Sequence, residues 1–234
     1  MRVPRSPKIH GKAENHLSEG DTVSVKQKIL TKRRYGLLGQ FMYDQLQELL
    51  GKVGISILFS IVFEDRDLDS NIVPLGMSAE DYKFGILGRN DVSDITAVAG
   101  YDVPPAEINE RFSDGALCFG LRLREEVVAF TWCNILPKRL AVLPFKPSGS
   151  DAYIFDSFTS LDHRGEGLIA LVYRYTFQEL RPLGYSRLIS YADYFNTPAI
   201  KFRNKLGSKP ICLVSYVKIF RLFERSLVLK QYQQ

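Results

Sequence analysis

Hydrophobic and polar positions follow two distinct periods along the chain, and each period predicts its own kind of element. Apolar residues spaced three and four apart predict a helix over Lys26–Leu50, which Gly51 is expected to end. The continuous apolar run Ile55–Phe63 predicts a buried strand that stops at a charged turn. Residues 1–24 are rich in charge, Pro, Gly and Ser, show neither period, and are expected to be mobile.

From Tyr82 to about Phe223, strand-like and helix-like runs follow one another closely. The runs Ala116–Arg122 and Val127–Asn134 flank a charged turn, which is typical of a hairpin. The segment Pro137–Ser150 contains three prolines and is predicted to be a surface loop that faces substrate. The other predicted strands are Tyr82–Leu87, Tyr153–Thr159, Arg187–Tyr191 and a closing pair within Ile211–Phe223, and the other predicted helices are Asp91–Ala99, Pro104–Arg111, Leu168–Leu180 and Thr197–Leu206. This organisation predicts a helix–strand extension at 25–76 and a main domain at 77–234.

The composition is that of an ordinary globular protein. The chain has 234 residues, of which 45% are hydrophobic and 24% charged, enough for one sizeable core. The net charge of +5 favours anionic partners such as nucleotides, acidic carrier proteins or anionic membranes. No basic run is interleaved with aromatic residues, and no helix-turn-helix or zinc-finger pattern is present, so nucleic-acid binding is disfavoured. The longest apolar run is too short to span a bilayer.

Cysteine and histidine are scarce and scattered. Cys118, Cys133 and Cys212 form neither a disulfide framework nor a metal-binding pair motif, and the three histidines are isolated. We therefore predict buried thiols in a reduced, cytoplasmic setting and no metal site. The chain shows no apolar leader followed by a cleavage site, which agrees with that setting.

The first predicted helix has a basic start. Lys32, Arg33 and Arg34 precede its apolar stripe, so residues 32–50 are able to lie on the inner, anionic face of a membrane. The alternative is that this helix docks on its own domain or on a partner subunit. The sequence pattern is compatible with both interpretations.

The segment Ser160–Val172 carries the first chemical signal. Arg164, Gly165 and Gly167 lie between a strand-like run and an apolar helix-like run. A helix that starts at such a turn presents unpaired backbone N–H groups at the positive end of its dipole, where phosphate oxygens bind. Taken alone, the pattern fits a tight turn without a ligand equally well.

The segment Asn196–Gly207 carries a second signal. It has Asn196 and Ala199 at a helix start and Lys205-Leu206-Gly207 at the helix end. Together, the two segments resemble the GCN5-related N-acetyltransferase (GNAT) family, which binds the pyrophosphate of acyl-coenzyme A at the first of them. The resemblance covers about residues 82–223. It implies an α/β (α+β) fold: a mixed, mostly antiparallel sheet with splayed central parallel strands, flanked by helices.

The resemblance also assigns residues to the coenzyme. Arg164 and Gly167 match the family's phosphate loop, whereas Ile169 stands where the family has a small residue. The family holds pantetheine between two splayed strands, which correspond here to Tyr153–Thr159 and Arg187–Tyr191. The implied donor is acetyl-coenzyme A or another acyl-coenzyme A, and the implied binding residues are Phe158, Thr159, Arg164, Gly165, Glu166, Gly167, Leu168, Ile169, Asn196 and Arg203. Asn196 is equally suited to cap the helix that follows it.

Catalytic candidates follow from the same comparison. Asp156 lies within a strand-like run, an unusual place for a carboxylate unless it is paired or functional. The resemblance implies that it deprotonates or orients the substrate amine, and a structural hydrogen bond is the alternative. Arg203 stands where the family commonly has a tyrosine acid, and arginine is a poor proton donor. Arg203 is therefore expected to stabilise the thiolate or grip a phosphate. Tyr194 and Tyr191 are the candidate substitute acids, with aromatic core packing as the alternative for both. A thiolate is also able to leave near neutral pH without an acid.

The activity so implied is transfer of an acyl group, acetyl in the simplest case, to a primary amine by direct attack in a ternary complex. One alternative is transfer of a longer chain from acyl-coenzyme A or acyl carrier protein at the membrane surface. Another is a non-catalytic sensor that binds acyl-coenzyme A. The N-terminal extension is similar to acyltransferases of bacterial surface-polysaccharide clusters, which suggests an amino-sugar acceptor. Amino acids, polyamines and protein amines remain open as acceptors.

Overall fold

The computed structural model describes residues 38–66, 68, 82–135, 143–220 and 222–232. The predicted mobile segment 1–24 lies outside these residues. So do the basic start of the first helix and part of the loop predicted at Pro137–Ser150.

Five α-helices and eight strands, together with three short 3-10 turns, make up the described part of the chain. The helices are α1 (Leu38–Lys52), α2 (Val92–Ala97), α3 (Pro105–Ser113), α4 (Leu168–Leu180) and α5 (Thr197–Leu206). The strands are β1 (Ile55–Asp65), β2 (Tyr82–Leu87), β3 (Leu117–Leu123), β4 (Glu126–Asn134), β5 (Asp151–Thr159), β6 (Arg187–Asp193), β7 (Lys209–Ile219) and β8 (Phe223–Gln231). The predicted bounds of α4, α5 and β2 agree with the structure residue for residue.

All eight strands join in one sheet with the order β2-β3-β4-β5-β6-β1-β7-β8. Every neighbouring pair is antiparallel except β5 and β6, which run parallel at the centre of the sheet. The fold class predicted from the sequence is therefore confirmed.

Strand β1 lies inside this sheet, hydrogen-bonded to β6 on one side and to β7 on the other. Val62 and Phe63 are fully buried there, which explains the unbroken apolar run in the sequence. The sequence pattern places this strand in an extension ahead of the main domain, whereas the structure makes it a central strand of the same sheet. The division into three segments stays a prediction.

Helix α1 covers the part of β1 that extends beyond the end of β6. The hydroxyl of Tyr43 donates to the carbonyl of Ile57 at 2.6 Å and accepts from the N–H of Phe59 at 3.2 Å. The amide of Gln47 also bonds both backbone groups of Ile57. These side chains satisfy a strand edge that would otherwise be open. The helix thus docks on its own domain, which was one of the two interpretations, and its contact with a membrane stays a prediction.

Two apolar clusters fill the two faces of the sheet. Helix α4 packs over one face with Leu168, Val172, Tyr173 and Leu180 buried. Helices α2 and α3 pack over the other face around Trp132, which is fully buried. All three cysteines are buried and free, as the sequence predicts.

Three predicted element bounds need correction. The end predicted for the first helix at Gly51 is wrong, because α1 continues through Gly51 to Lys52. The closing pair within Ile211–Phe223 is wrong, because β7 alone runs from Lys209 to Ile219 and β8 follows from Phe223 to Gln231. Strand β8 is a sheet edge whose side chains are almost all exposed, so its sequence lacks the alternation that marks a strand. The helix predicted at Asp91–Ala99 is shorter, because Val98 is already extended. Among the described residues, no helix has the length and apolar character needed to cross a membrane.

Candidate active site

The two parallel strands at the centre of the sheet separate partway along their length. Residues 151–154 of β5 pair with residues 187–190 of β6. Beyond this point β5 continues beside β4, and β6 continues beside β1. We call the opening between them the splay. On the side of β5 that faces β6, the backbone groups from Phe155 onward have no strand partner, so they are available to a ligand.

An ion-pair cluster fixes the closed end of the splay. Arg187 binds both carboxylate oxygens of Asp151, at 2.7 and 2.6 Å, and contacts Glu64 at 3.3 Å. Burial alone would raise the pKa of Asp151, but the hydrogen bonds from Arg187 and Ser148 outweigh it and hold the pKa below its usual value. This cluster ties β5, β6 and β1 together at the start of the paired segment, and the strands part at its other end, after Ile154 and Ser190.

A β-bulge shapes β5 along the splay. The register with β4 shifts between Phe130 and Trp132, so that Asp156 and Ser157 both lie opposite Thr131. Asp156 has a φ of +45°, a left-handed conformation that is costly for a residue with a side chain. Strained residues of this kind cluster at active sites and ligand clamps, which makes the bulge a candidate functional feature.

Asp156 is held firmly by two side chains from the α2–α3 side. The hydroxyl of Tyr101 donates to its carboxylate at 2.5 Å, and the Arg111 guanidinium forms an ion pair with it. Arg111 also stacks over Trp132 at 5.2 Å and pairs with Glu107 at 2.9 Å. Burial raises the pKa of Tyr101, and the neighbouring Asp156 raises it further. The carboxylate remains partly exposed, so its geometry suits orienting a substrate amine.

The predicted phosphate loop forms a glycine turn before a helix. Gly165 and Gly167 adopt φ values of +95° and +81°, and Gly167 caps α4. Within the described structure, the N–H groups of Leu168 and Ile169 find no hydrogen-bond acceptor. Ile169 packs against the apolar core, so its side chain does not fill the loop. Arg164 is exposed beside this turn, with its guanidinium 5.5 Å from the Phe158 ring.

The other predicted loop and strand residues surround the same turn. Glu166 is engaged by His163 at 3.1 Å, which draws its carboxylate toward the imidazole. Phe158 and Thr159 are the last residues of β5, paired with Phe130 and Ala129 of β4. The turn, the end of β5 and the splay therefore form one continuous region.

The second motif is helix α5 and its two ends. The Asn196 side chain accepts a hydrogen bond from the N–H of Ala199 at 3.2 Å, which makes Asn196 the helix N-cap. Gly207 ends the helix in the left-handed conformation. A role for Asn196 in coenzyme binding stays a prediction.

Arg203 of α5 points into the protein interior. It is 5% exposed, its guanidinium donates to the hydroxyl of Tyr173, and it lies 3.6 Å from Asp65 of β1. Burial raises the pKa of Asp65, while Arg203 acts in the opposite direction. With its guanidinium engaged in this way, Arg203 is placed to act through Tyr173. Direct contact of Arg203 with the coenzyme stays a prediction.

Tyr173 and Ser157 were not predicted from the sequence as site residues, and neither were Arg111 and Tyr101, the partners of Asp156. The Tyr173 hydroxyl lies 2.8 Å from Ser157 Oγ, and Ser157 Oγ lies 2.7 Å from Thr131 Oγ1. The sequence did hold a signal for Tyr173, because it is a tyrosine on the apolar face of a predicted helix. The structure buries it fully, and a buried hydroxyl needs a hydrogen-bond partner. Its partner became identifiable only once the bulge was known.

Tyr194 lies at a different place from Ser157 and Tyr173. It follows β6, is 46% exposed, and packs edge-on against Phe195. Its N–H donates to Phe59 of β1 at 2.8 Å. Tyr191 stacks on Tyr153 at 6.1 Å. A catalytic role for Tyr194 stays a prediction. Within the described ranges, no three His, Cys, Asp or Glu side chains are grouped as metal ligands.

The family model of the acetyltransferase (GNAT) family matches residues 90–207, just over half of the chain. The chain belongs to the GNAT family. The match begins before α2 and ends at Gly207, so it includes the bulge, the glycine turn and α5. None of the curated protein sequences matches this GNAT protein significantly.

Solved structures with the same fold are distant in sequence. A GNAT-family acetyltransferase from Colwellia psychrerythraea is 12% identical, with a TM-score of 0.52, over 75% of this chain and 61% of that one. A tandem GNAT protein from the clavulanic acid biosynthesis pathway is 12% identical, with a TM-score of 0.50, over 79% and 58%. A conserved protein of unknown function from Staphylococcus epidermidis is 11% identical, with a TM-score of 0.51, over 74% and 65%. The chain thus spans less than two thirds of each of these structures, and the likeness establishes the fold.

Proposed function

We propose that this GNAT protein is an acyl-coenzyme A-dependent N-acyltransferase that transfers an acetyl group to a primary amine by direct attack in a ternary complex. The observation that carries the proposal is the splay, which opens beside the glycine turn at the start of α4. The glycine turn offers backbone donors for a phosphate, and the splay offers backbone groups for an extended chain. The family match supports the same activity.

The donor would be held mainly by the backbone. The N–H groups of Leu168 and Ile169, with the Arg164 guanidinium beside them, suit the pyrophosphate of coenzyme A. Backbone N–H groups of β5 along the splay suit the thioester carbonyl, and each well-placed donor is worth about 3 kcal/mol in the transition state. The residues present therefore fit an acyl-coenzyme A.

The acceptor amine would approach Asp156 from the α2–α3 side of the sheet. Arg111 and Tyr101 hold the Asp156 carboxylate in place. We assign Asp156 the role of orienting the amine and accepting its proton. Aromatic rings pack around its partner Tyr101, which contacts both Phe130 and Phe158. The acceptor class is open among amino sugars, amino acids, polyamines and protein amines.

A non-catalytic sensor of acyl-coenzyme A is the second candidate. It is favoured by the ion pair that engages Asp156 and by the buried Arg203 at the position of the family's tyrosine. Such a sensor would bind the coenzyme without transferring its acyl group to any amine.

Two measurements test these functions together. The midpoint of thermal unfolding is followed with acetyl-coenzyme A, longer acyl-coenzymes A and acylated carrier protein, and thiol release is followed with glucosamine, spermidine, lysine and a short peptide. We expect acetyl-coenzyme A to raise Tm in the wild type, to raise it less in Arg164→Ala, and to act normally on the matched control Arg225→Ala. Thiol release that depends on an amine supports the transferase, whereas stabilisation without release supports the sensor. No stabilisation by any coenzyme A contradicts both.

A further inference from the structure

Hydroxyl groups form a continuous chain from the protein interior to the splay. Arg203 donates to the hydroxyl of Tyr173, the Tyr173 hydroxyl lies 2.8 Å from Ser157 Oγ, and Ser157 Oγ lies 2.7 Å from Thr131 Oγ1. Residues from α5, α4, β5 and β4 thus meet in one network. Asp65 of β1 lies behind it, 3.6 Å from Arg203.

The chemistry of arginine sets the direction of this chain. A guanidinium has hydrogens to donate and no lone pair to accept, so Tyr173 must accept from Arg203. Ser157 Oγ is the other partner of the Tyr173 hydroxyl, so we assign the Tyr173 hydrogen to this bond. Ser157 accepts that hydrogen, and its own hydrogen is left for Thr131 or for a group in the splay. When Thr131 donates to Ser157 Oγ, the Ser157 hydrogen is left for a group in the splay, and the network offers a hydrogen-bond donor there.

Burial along the chain decides which end meets a ligand. Arg203 is 5% exposed and Tyr173 is fully buried, whereas Ser157 is exposed. Ser157 follows Asp156 in the bulge, beyond the last residue of β5 that pairs with β6. Thr131 is fully buried as well, so Ser157 is the exposed residue of a network that includes a buried cation.

We propose that Ser157 donates a hydrogen bond to the sulfur of coenzyme A as the sulfur leaves, and that Tyr173 and Arg203 are the positioning residues for it. The proposal rests on the function proposed above and assigns one step of that reaction. When the carbon–sulfur bond breaks, its electron pair goes to sulfur as a thiolate. The amine nitrogen keeps the new bond to the carbonyl carbon and loses its proton to a base. Ser157 keeps its own hydrogen, and the thiolate is protonated by solvent after it departs.

The same arrangement accounts for the arginine at position 203. The family resemblance places a tyrosine acid there, and arginine does not supply a transferable proton at neutral pH. A donor fixed by a buried cation instead stabilises the negative charge that develops on sulfur, without proton transfer. Loss of a hydrogen bond to a charged group corresponds to a rate decrease of about 10- to 100-fold.

The test compares Ser157→Ala, Ser157→Thr and Tyr173→Phe with the matched control Ser186→Ala, an exposed serine outside the network. Thiol release is measured with acetyl-coenzyme A and with whichever of the four amines above gives the highest turnover. We expect Ser157→Ala to lower kcat about 10- to 100-fold with KM for acetyl-coenzyme A within about twofold. Ser157→Thr should keep most of the activity, and Tyr173→Phe should show a smaller loss than Ser157→Ala.

A second donor separates a role at sulfur from a purely structural role. The selenium analogue of acetyl-coenzyme A has a leaving group that carries negative charge more easily, so it depends less on a hydrogen-bond donor. We expect the loss in Ser157→Ala to shrink at least threefold with this selenoester, and an equal loss with both donors overturns the proposal. Wild-type kcat in Ser157→Ala overturns it as well, while the transferase function stands. Failure of any coenzyme A to stabilise the wild type instead overturns the function, and with it this proposal.

Discussion

Arg111 of α3 and Asp156 in the bulge of β5 form an ion pair that joins positions 45 residues apart in the sequence. The pair connects helix α3, on one face of the sheet, to the edge of the splay. Arg111 is fixed further by Glu107 and by the faces of Trp132 and Phe155. The Asp156 carboxylate, which lies in a strained left-handed residue, therefore has a defined position before any substrate binds.

Replacing Asp156 by asparagine tests whether this carboxylate acts on the amine. Loss of a general base lowers kcat by about 10² to 10⁴-fold, and we expect Asp156→Asn to fall in that range while acetyl-coenzyme A still raises Tm. Asp102→Asn is the matched control, because Asp102 is exposed and lies beside Tyr101 in the sequence. Steady-state kinetics with a saturating amine measures the effect. Unchanged kcat in Asp156→Asn would show that the ion pair of Asp156 with Arg111 contributes to stability and not to catalysis.

Gly167→Ala tests the glycine turn without adding a clash. An added Cβ at Gly167 meets no heavy atom within 4 Å, but the φ of +81° costs an L-residue roughly 1–2 kcal/mol. For a chain of this length we expect Tm to fall by about 2–8 °C, together with a higher KM for acetyl-coenzyme A. Gly149→Ala is the matched control, since its Cβ also meets open space and its φ is outside the left-handed range. Equal Tm values for the two variants would contradict the expected strain.

The sequence allowed prediction of the sheet, of helices α4 and α5, and of the glycine turn, because each depends on local patterns. Apolar periods place Leu168–Leu180 and Thr197–Leu206 correctly, with glycine and asparagine at their ends. The position of β1 between β6 and β7 could not be predicted, since strand order depends on pairings between residues far apart in the chain. The partners of Asp156 and Tyr173 depend on the bulge, and nothing in the local sequence marks one extra residue in β5.

The buried pair Arg203 and Asp65 is expected to be coupled in its effect on stability. Removing one member leaves an unpaired charge in the interior, so Arg203→Met should lower the free energy of unfolding by about 3–5 kcal/mol. Adding Asp65→Leu removes the second charge, and the double variant should recover most of that loss. Urea unfolding of the wild type, both single variants and the double variant measures the coupling. Additive losses in the double variant would show that the two side chains do not interact.

Asp193 at the end of β6 is expected to make stability depend on pH. Burial raises its pKa, the Asp44 carboxylate raises it further, and the hydrogen bond from Ser60 opposes the increase. Because the folded-state pKa lies above the unfolded value of about 3.9, the folded state binds this proton more tightly. The stabilisation is complete below the unfolded pKa and is lost as the pH rises through the folded pKa.

Asp193→Asn removes this titration and keeps a side chain of the same shape. The variant should therefore gain stability relative to the wild type as the pH rises from 4 to 8, with the largest advantage at the upper end. Urea unfolding of both proteins at several pH values measures the difference in the free energy of unfolding. Asp162→Asn is the matched control, since Asp162 is an exposed aspartate in the turn after β5. A pH-independent difference for Asp193→Asn would mean that its carboxyl group titrates alike in the folded and unfolded chain.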